Sequence, residues 1–136
     1  MGSEVVQAGR TLTVLRIVVA LNAVAILIQA VTAGRLLNGG AAGAHAMGAG
    51  AVHLLGLVQL VAAVVLWRPG RGPGRPALAS LALLLLGFAQ SAVGGAGNTA
   101  LHVPFGVTLF GGVVAMVVWT WPRAGSGSPR PVPGEG

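Results

Sequence analysis

Residues 44–67 read AHAMGAGAVHLLGLVQLVAAVVLW, an apolar run halted at once by Arg68-Pro69-Gly70-Arg71. A hydrocarbon core about 30 Å thick is crossed by about 20 helical residues, so this run is long enough to span a bilayer. Trp67-Arg68 is an interfacial pair, the indole suited to the headgroup level and the guanidinium to the water beyond. The same run holds His45 and His53, two of the three histidines in the chain. Polar side chains in hydrocarbon are costly unless paired, so any specific function is expected here.

Outward from this stretch the composition repeats the message. Of 136 residues, 54% are hydrophobic and 7% charged, with a mean hydropathy of +0.85. A soluble domain of this size cannot cover its surface with so few charges, so lipid is the main solvent. The pattern predicts an all-α polytopic membrane protein, an antiparallel bundle of four transmembrane helices at about 12–33, 44–67, 77–95 and 101–121. That single domain, 12–123, is expected to be flanked by a short frayed tail over 1–11 and a disordered Gly/Pro/Ser-rich tail over 124–136. The connector 34–43, GRLLNGGAAG, is too glycine-rich to sustain a helix. Asn98 or Thr99 can cap the fourth helix, and Pro104 is expected in its first turn, where a missing N–H costs little. The first span also resembles a signal peptide, with a basic start and small residues before Gly34. Its full span length and the three spans that follow favour a retained helix.

Charge gives orientation. The net charge of +6 comes from eight arginines against Glu4 and Glu135. In a four-span arrangement Arg10, Arg16, Arg68, Arg71, Arg75, Arg123 and Arg130 fall on one side and only Arg35 on the other. The positive-inside rule then places both termini in the cytoplasm of a bacterial plasma membrane, and it explains the basicity without a nucleic-acid partner. The absence of cysteine excludes thiolate chemistry, and no carboxylate lies within a span.

Topology also assigns depth. Gln29, Gln90 and Ser91 fall in the outer halves of the first and third helices, and His45, His53 and His102 in the outer halves of the second and fourth. Asn22 and Gln59 fall nearer mid-membrane. The reading is a dry inner half of Leu, Val and Ala and a polar pocket at the outer end. Counting back from the inner tryptophans, His45 and His102 differ in depth by roughly 5 Å and His53 and His102 by roughly 7 Å. Two histidines on facing helices at matched depth are the donor set of a bis-histidine haem, which favours His45 with His102 and keeps His53 as the alternative. A zinc or copper site from all three is weakly indicated, since no carboxylate or thiolate assists and His45 and His53 are eight apart. The outer two histidines can equally meet interfacial water, and glycines 43, 48, 50 and 56 can serve either a bound macrocycle or close helix packing.

The pattern of His45 and His53 in the second helix, Gln90 late in the third, and Leu101-His102-Val103-Pro104 with Gly106 opening the fourth resembles small four-helix integral membrane proteins of actinobacteria. The layout is similar to one half of haem A synthase and covers nearly the whole span region. The resemblance implies a four-helix bundle with haem between histidines of the second and fourth helices, here His45 and His102. Haem A synthase has two such halves and an acidic residue near the histidine of the second helix; this chain has one half and no intramembrane acid. The oxygenating activity is therefore not implied. The expected function is a non-catalytic protein binding haem b for electron transfer, with the bilayer and either a second copy or a membrane redox protein as partners. A cofactor-free scaffold or accessory subunit is the alternative. A transporter is less favoured without Asp, Glu or Lys in the spans.

Overall fold

The structure, a computed structural model, describes residues 2–70 and 72–121. Four helices follow one another: α1 (Gly2–Leu37), α2 (Gly43–Trp67), α3 (Arg75–Gly95) and α4 (Thr99–Thr120). All four are long and apolar enough to cross a membrane, and among the described residues there is no strand. Each helix packs on its chain neighbours, and α1 closes the ring against α4, giving a four-helix bundle. The anonymous lipid-facing surface is a consequence of composition: large apolar residues such as Ile17, Leu54, Leu85 and Val118 stay more than half exposed. Lipid contact therefore satisfies them as well as protein contact would.

Several boundaries differ from the sequence reading. Residues 2–11, expected to fray, continue α1, because elongating an existing helix costs far less than starting one and no proline interrupts them. Thr11 Oγ1 and Thr13 Oγ1 donate to the carbonyls of Gln7 and Gly9 in this extension. At its other end α1 runs to Leu37, through part of the glycine-rich connector. It stops where Gly39 takes a left-handed φ of 84° and the Gly40 N–H bonds back to Arg35 O at 2.9 Å. Asn98 caps α4, its Oδ1 accepting from Leu101 N at 3.2 Å. Since α4 starts at Thr99, Pro104 falls in its second turn rather than its first, and it deprives the Ala100 carbonyl of its usual donor. The expected disordered tail at 124–136 and Arg71, Arg123 and Arg130 of the charge count lie outside the described residues.

The two ends of the bundle differ. At the basic end, Arg16 Nε donates to Thr120 O at 2.8 Å and its guanidinium lies 5.9 Å from the Trp121 ring, while Arg68 stacks 4.5 Å over Trp67. Above this layer sits the tight apolar core of Leu15, Val19, Ala63, Leu66, Ala77 and Val113. The opposite, histidine end is loosely packed and holds a cavity.

The half above the basic end is not dry, contrary to the sequence reading. Asn22 Nδ2 donates to Gln59 Oε1 at 3.0 Å, and Gln59 Nε2 reaches Ser80 Oγ at 3.2 Å and Met116 Sδ at 3.3 Å. One residue from each helix thus joins a buried polar ladder. The reason is pairing: in hydrocarbon an amide is tolerated where neighbouring helices satisfy it, and such bonds hold helices in register.

Four crossings place the α2–α3 and α3–α4 connections on opposite faces of the membrane. In the naturally cysteine-free chain, Pro73→Cys and Ala96→Cys are therefore expected to react with an impermeant thiol reagent from opposite sides of sealed vesicles. Labelling of both from one side would contradict the four-span arrangement.

Candidate functional site

The histidine end is built from residues whose side chains each tie two helices. From α1, Gln29 Nε2 donates to the His45 carbonyl at 3.0 Å, and Thr32 Oγ1 lies 3.1 Å from His45 Nδ1. Gln29 fits because Gly48 has no side chain: a Cβ there would stand 2.6 Å from its Oε1. Between α2 and α3, His53 Nε2 meets Ser91 Oγ at 3.3 Å, and the His53 ring stacks on Phe88 with centroids 4.3 Å apart. Between α3 and α4, both nitrogens of His102 face Gln90: Nδ1 is 2.9 Å from its carbonyl oxygen and Nε2 is 3.3 Å from its side-chain nitrogen. His102 lies so close on Gly94 that any Cβ there would overlap the ring. The α1–α4 seam has its hydrogen bond at the far end, through Arg16 and Thr120.

These bonds assign the imidazole protons. The Thr32 hydroxyl has one proton, and Gln29 O and Oε1, both at 3.0 Å, can only accept it. His45 Nδ1–H therefore donates to Thr32 Oγ1, and its Nε2 has no hydrogen-bond partner among the described residues. His102 Nδ1–H donates to the Gln90 carbonyl in the same way, and its Nε2 accepts from the Gln90 amide. Both rings thus turn Nδ1–H to an oxygen acceptor, the arrangement that orients a histidine to ligate through Nε2. His53 has Nε2 engaged by a hydroxyl.

A cavity of about 760 Å³ opens among these residues. His45, His53, His102, Gln29, Gln90 and Ser91 all line it, so the six residues singled out from the sequence share one space. His45 and His102 stand across from each other with ring centroids 6.0 Å apart and planes at 75°. His53 is on the deeper wall and belongs to a separate stack with Phe88. Among the described residues no group of three or more His, Cys, Asp or Glu can hold a metal ion, so the three-histidine zinc or copper site is not formed.

The sequence reading missed Thr32, Phe88, Ser80 and Met116. Thr32 was detectable in principle, three residues after Gln29 and so on its helix face. Phe88 and Met116 carry no signal apart from apolar composition. Ser80 was hidden because a serine near a helix start reads as interfacial.

The cavity size lies within the range of about 300–1,000 Å³ typical of small-molecule and cofactor sites, and its wall is chiefly apolar with a few convergent polar groups. No family model, curated protein or solved structure matches the chain.

Proposed function

We propose that this chain is a small bacterial plasma-membrane protein, both termini cytoplasmic, whose histidine-end cavity binds haem b, with His45 and His102 as the residues that would hold its iron. The observation that carries the reading is the 6.0 Å between their ring centroids. Two imidazoles sharing one metal through nitrogens at about 2 Å have ring centres roughly 6 Å apart. The protonation of both rings at Nδ1 leaves Nε2 as the donor on each. The cavity volume matches a bulky, mostly apolar ligand.

Haem in such a site supplies one-electron transfer near the outer face. The residues do the positioning. Thr32 and the Gln90 carbonyl fix the two tautomers, Gly94 gives His102 its place, and the apolar wall excludes water. The Gln90 side-chain amide lies 3.3 Å from His102 Nε2 and would have to turn aside for that nitrogen to hold the group. No carboxylate is among the residues lining the cavity to act as an acid–base group or to orient the Ser91–His53 pair, which favours binding and relay over turnover.

A second reading, a cofactor-free scaffold or accessory subunit, is favoured by one observation: every histidine already bonds a neighbouring helix. The reduced-minus-oxidised absorbance of protein purified in mild detergent from haem-supplied cells separates the two. A Soret difference band with stoichiometric haem is expected; a wild-type protein that stays colourless would leave the scaffold.

A further inference from the structure

Below the histidine cavity lies a second, much smaller space of about 10 Å³, bordered by Asn22, His53, Gly56, Gln59 and Ser80. Asn22 is 4% exposed and Gln59 and Ser80 are each 1% exposed. Within the ladder, Asn22 spends its Nδ2 on Gln59, and Gln59 spends its Oε1 on Asn22 and its Nε2 on Ser80. Asn22 Oδ1 alone is left, fully buried, with no hydrogen-bond partner in the protein. A buried amide oxygen without a donor forfeits its hydration with nothing in exchange, so native structures rarely leave one. In this amide orientation Gln59 directs its N–H groups to Ser80 and Met116, and the Ser80 hydroxyl faces Met116, so neither donates to Asn22 Oδ1.

We propose that this space binds one water molecule, which donates to Asn22 Oδ1 and bridges to His53. The volume is the minimum that admits a single water, and the lining supplies the two to four polar partners such a water needs. His53 is the polar side chain common to both spaces. With its Nε2 on Ser91, Nδ1 is the ring nitrogen left to meet the water. The water therefore joins the buried ladder of Asn22, Gln59, Ser80 and Met116 to the wall of the histidine cavity, making one hydrogen-bonded path through all four helices. A larger or charged occupant does not fit: the space is too small, and no carboxylate offers a countercharge. The inference stands whether or not haem occupies the cavity above.

The chain has three asparagines, Asn22, Asn38 and Asn98, and the last two lie at the helix connections. Solid-state NMR on protein labelled at asparagine, histidine and leucine in lipid bilayers, with magnetisation started on water protons, is expected to reach the Asn22 side chain as fast as the two connection residues. A Cβ at Gly56 would point at this space, 3.9 Å from Asn22 Nδ2 and 3.1 Å from Leu84 Cδ1. Gly56→Ala is thus expected to remove the transfer to Asn22, to shift the His53 ring nitrogens, and to leave the signals of Asn38, Asn98 and His45 unchanged. Transfer to Asn22 no faster than to lipid-facing Leu54, or equal transfer in wild type and Gly56→Ala, would overturn the proposal. A folded wild-type protein suffices for the first of these outcomes, so the conclusion does not depend on the variant.

Discussion

His102→Ala is expected to abolish the Soret difference band in protein from haem-supplied cells, and His45→Ala to do the same, while His53→Ala keeps it. The selectivity follows from position. The His45 and His102 rings stand across the cavity with centroids 6.0 Å apart, whereas His53 lies on its deeper wall, stacked on Phe88 and bonded to Ser91. Losing a group that merely orients a metal ligand typically costs about 10–100-fold in affinity, so losing the ligand itself exceeds that. Two neighbours sharpen the test. Gly94→Ala puts a methyl group where the His102 ring lies and is expected to mimic His102→Ala. Gln90→Leu is expected to retain the band, because His102 Nδ1 is held by the backbone carbonyl of residue 90 and not by its side chain. A band that survives His102→Ala but disappears in His53→Ala would assign the ligation wrongly here.

Gln59→Leu is expected to be among the most destabilising single substitutions in the bundle. Gln59 is 1% exposed and is bonded to groups on the other three helices. Leucine nearly conserves its volume, so the loss is polar rather than a cavity effect. It strands the Asn22 amide nitrogen and leaves Ser80 Oγ with only a 3.8 Å approach to Met116 Sδ. At about 1–3 kcal/mol for each orphaned group, a loss of roughly 2–4 kcal/mol follows, measurable by reversible unfolding in mixed micelles with added dodecyl sulfate. Asn22→Leu with Gln59→Leu is expected to recover part of it, since removing both partners leaves no stranded amide between them. A loss for Gln59→Leu below about 0.6 kcal/mol, the average for one interhelical bond in a membrane, would show that the ladder carries no special weight.

The four helices were legible because the bilayer imposes a length and an apolar composition that any window of the sequence reveals. Helix ends were less so. Residues 2–11 lack span character yet remain helical, and α1 passes Gly34 before Gly39 stops it, since a helix once formed extends through weak formers until a left-handed residue or a proline intervenes. The six candidate side chains could be gathered at one end by depth alone, and they line one cavity. The dry inner half was misread. Asn22 and Gln59 stand out in the sequence as amides nearer mid-membrane, but nothing in their spacing indicates that they face each other, or that Ser80 and Met116 complete the set.

Apolar runs and their basic and aromatic boundaries determined, without coordinates, that this chain crosses a membrane four times and which polar residues share a level. Azimuth is what only the tertiary structure decided. Apolar residues surround every helix of this chain, so no polar stripe turns a helix toward its neighbours. The observed rotation turns Gly48, Gly56 and Gly94 toward side chains of neighbouring helices, where a Cβ would crowd Gln29, Leu84 and His102. That rotation brings His45 to His102, sends His53 to Phe88, and closes the amide ladder, because side chains at one depth meet only when their helices turn the right faces inward.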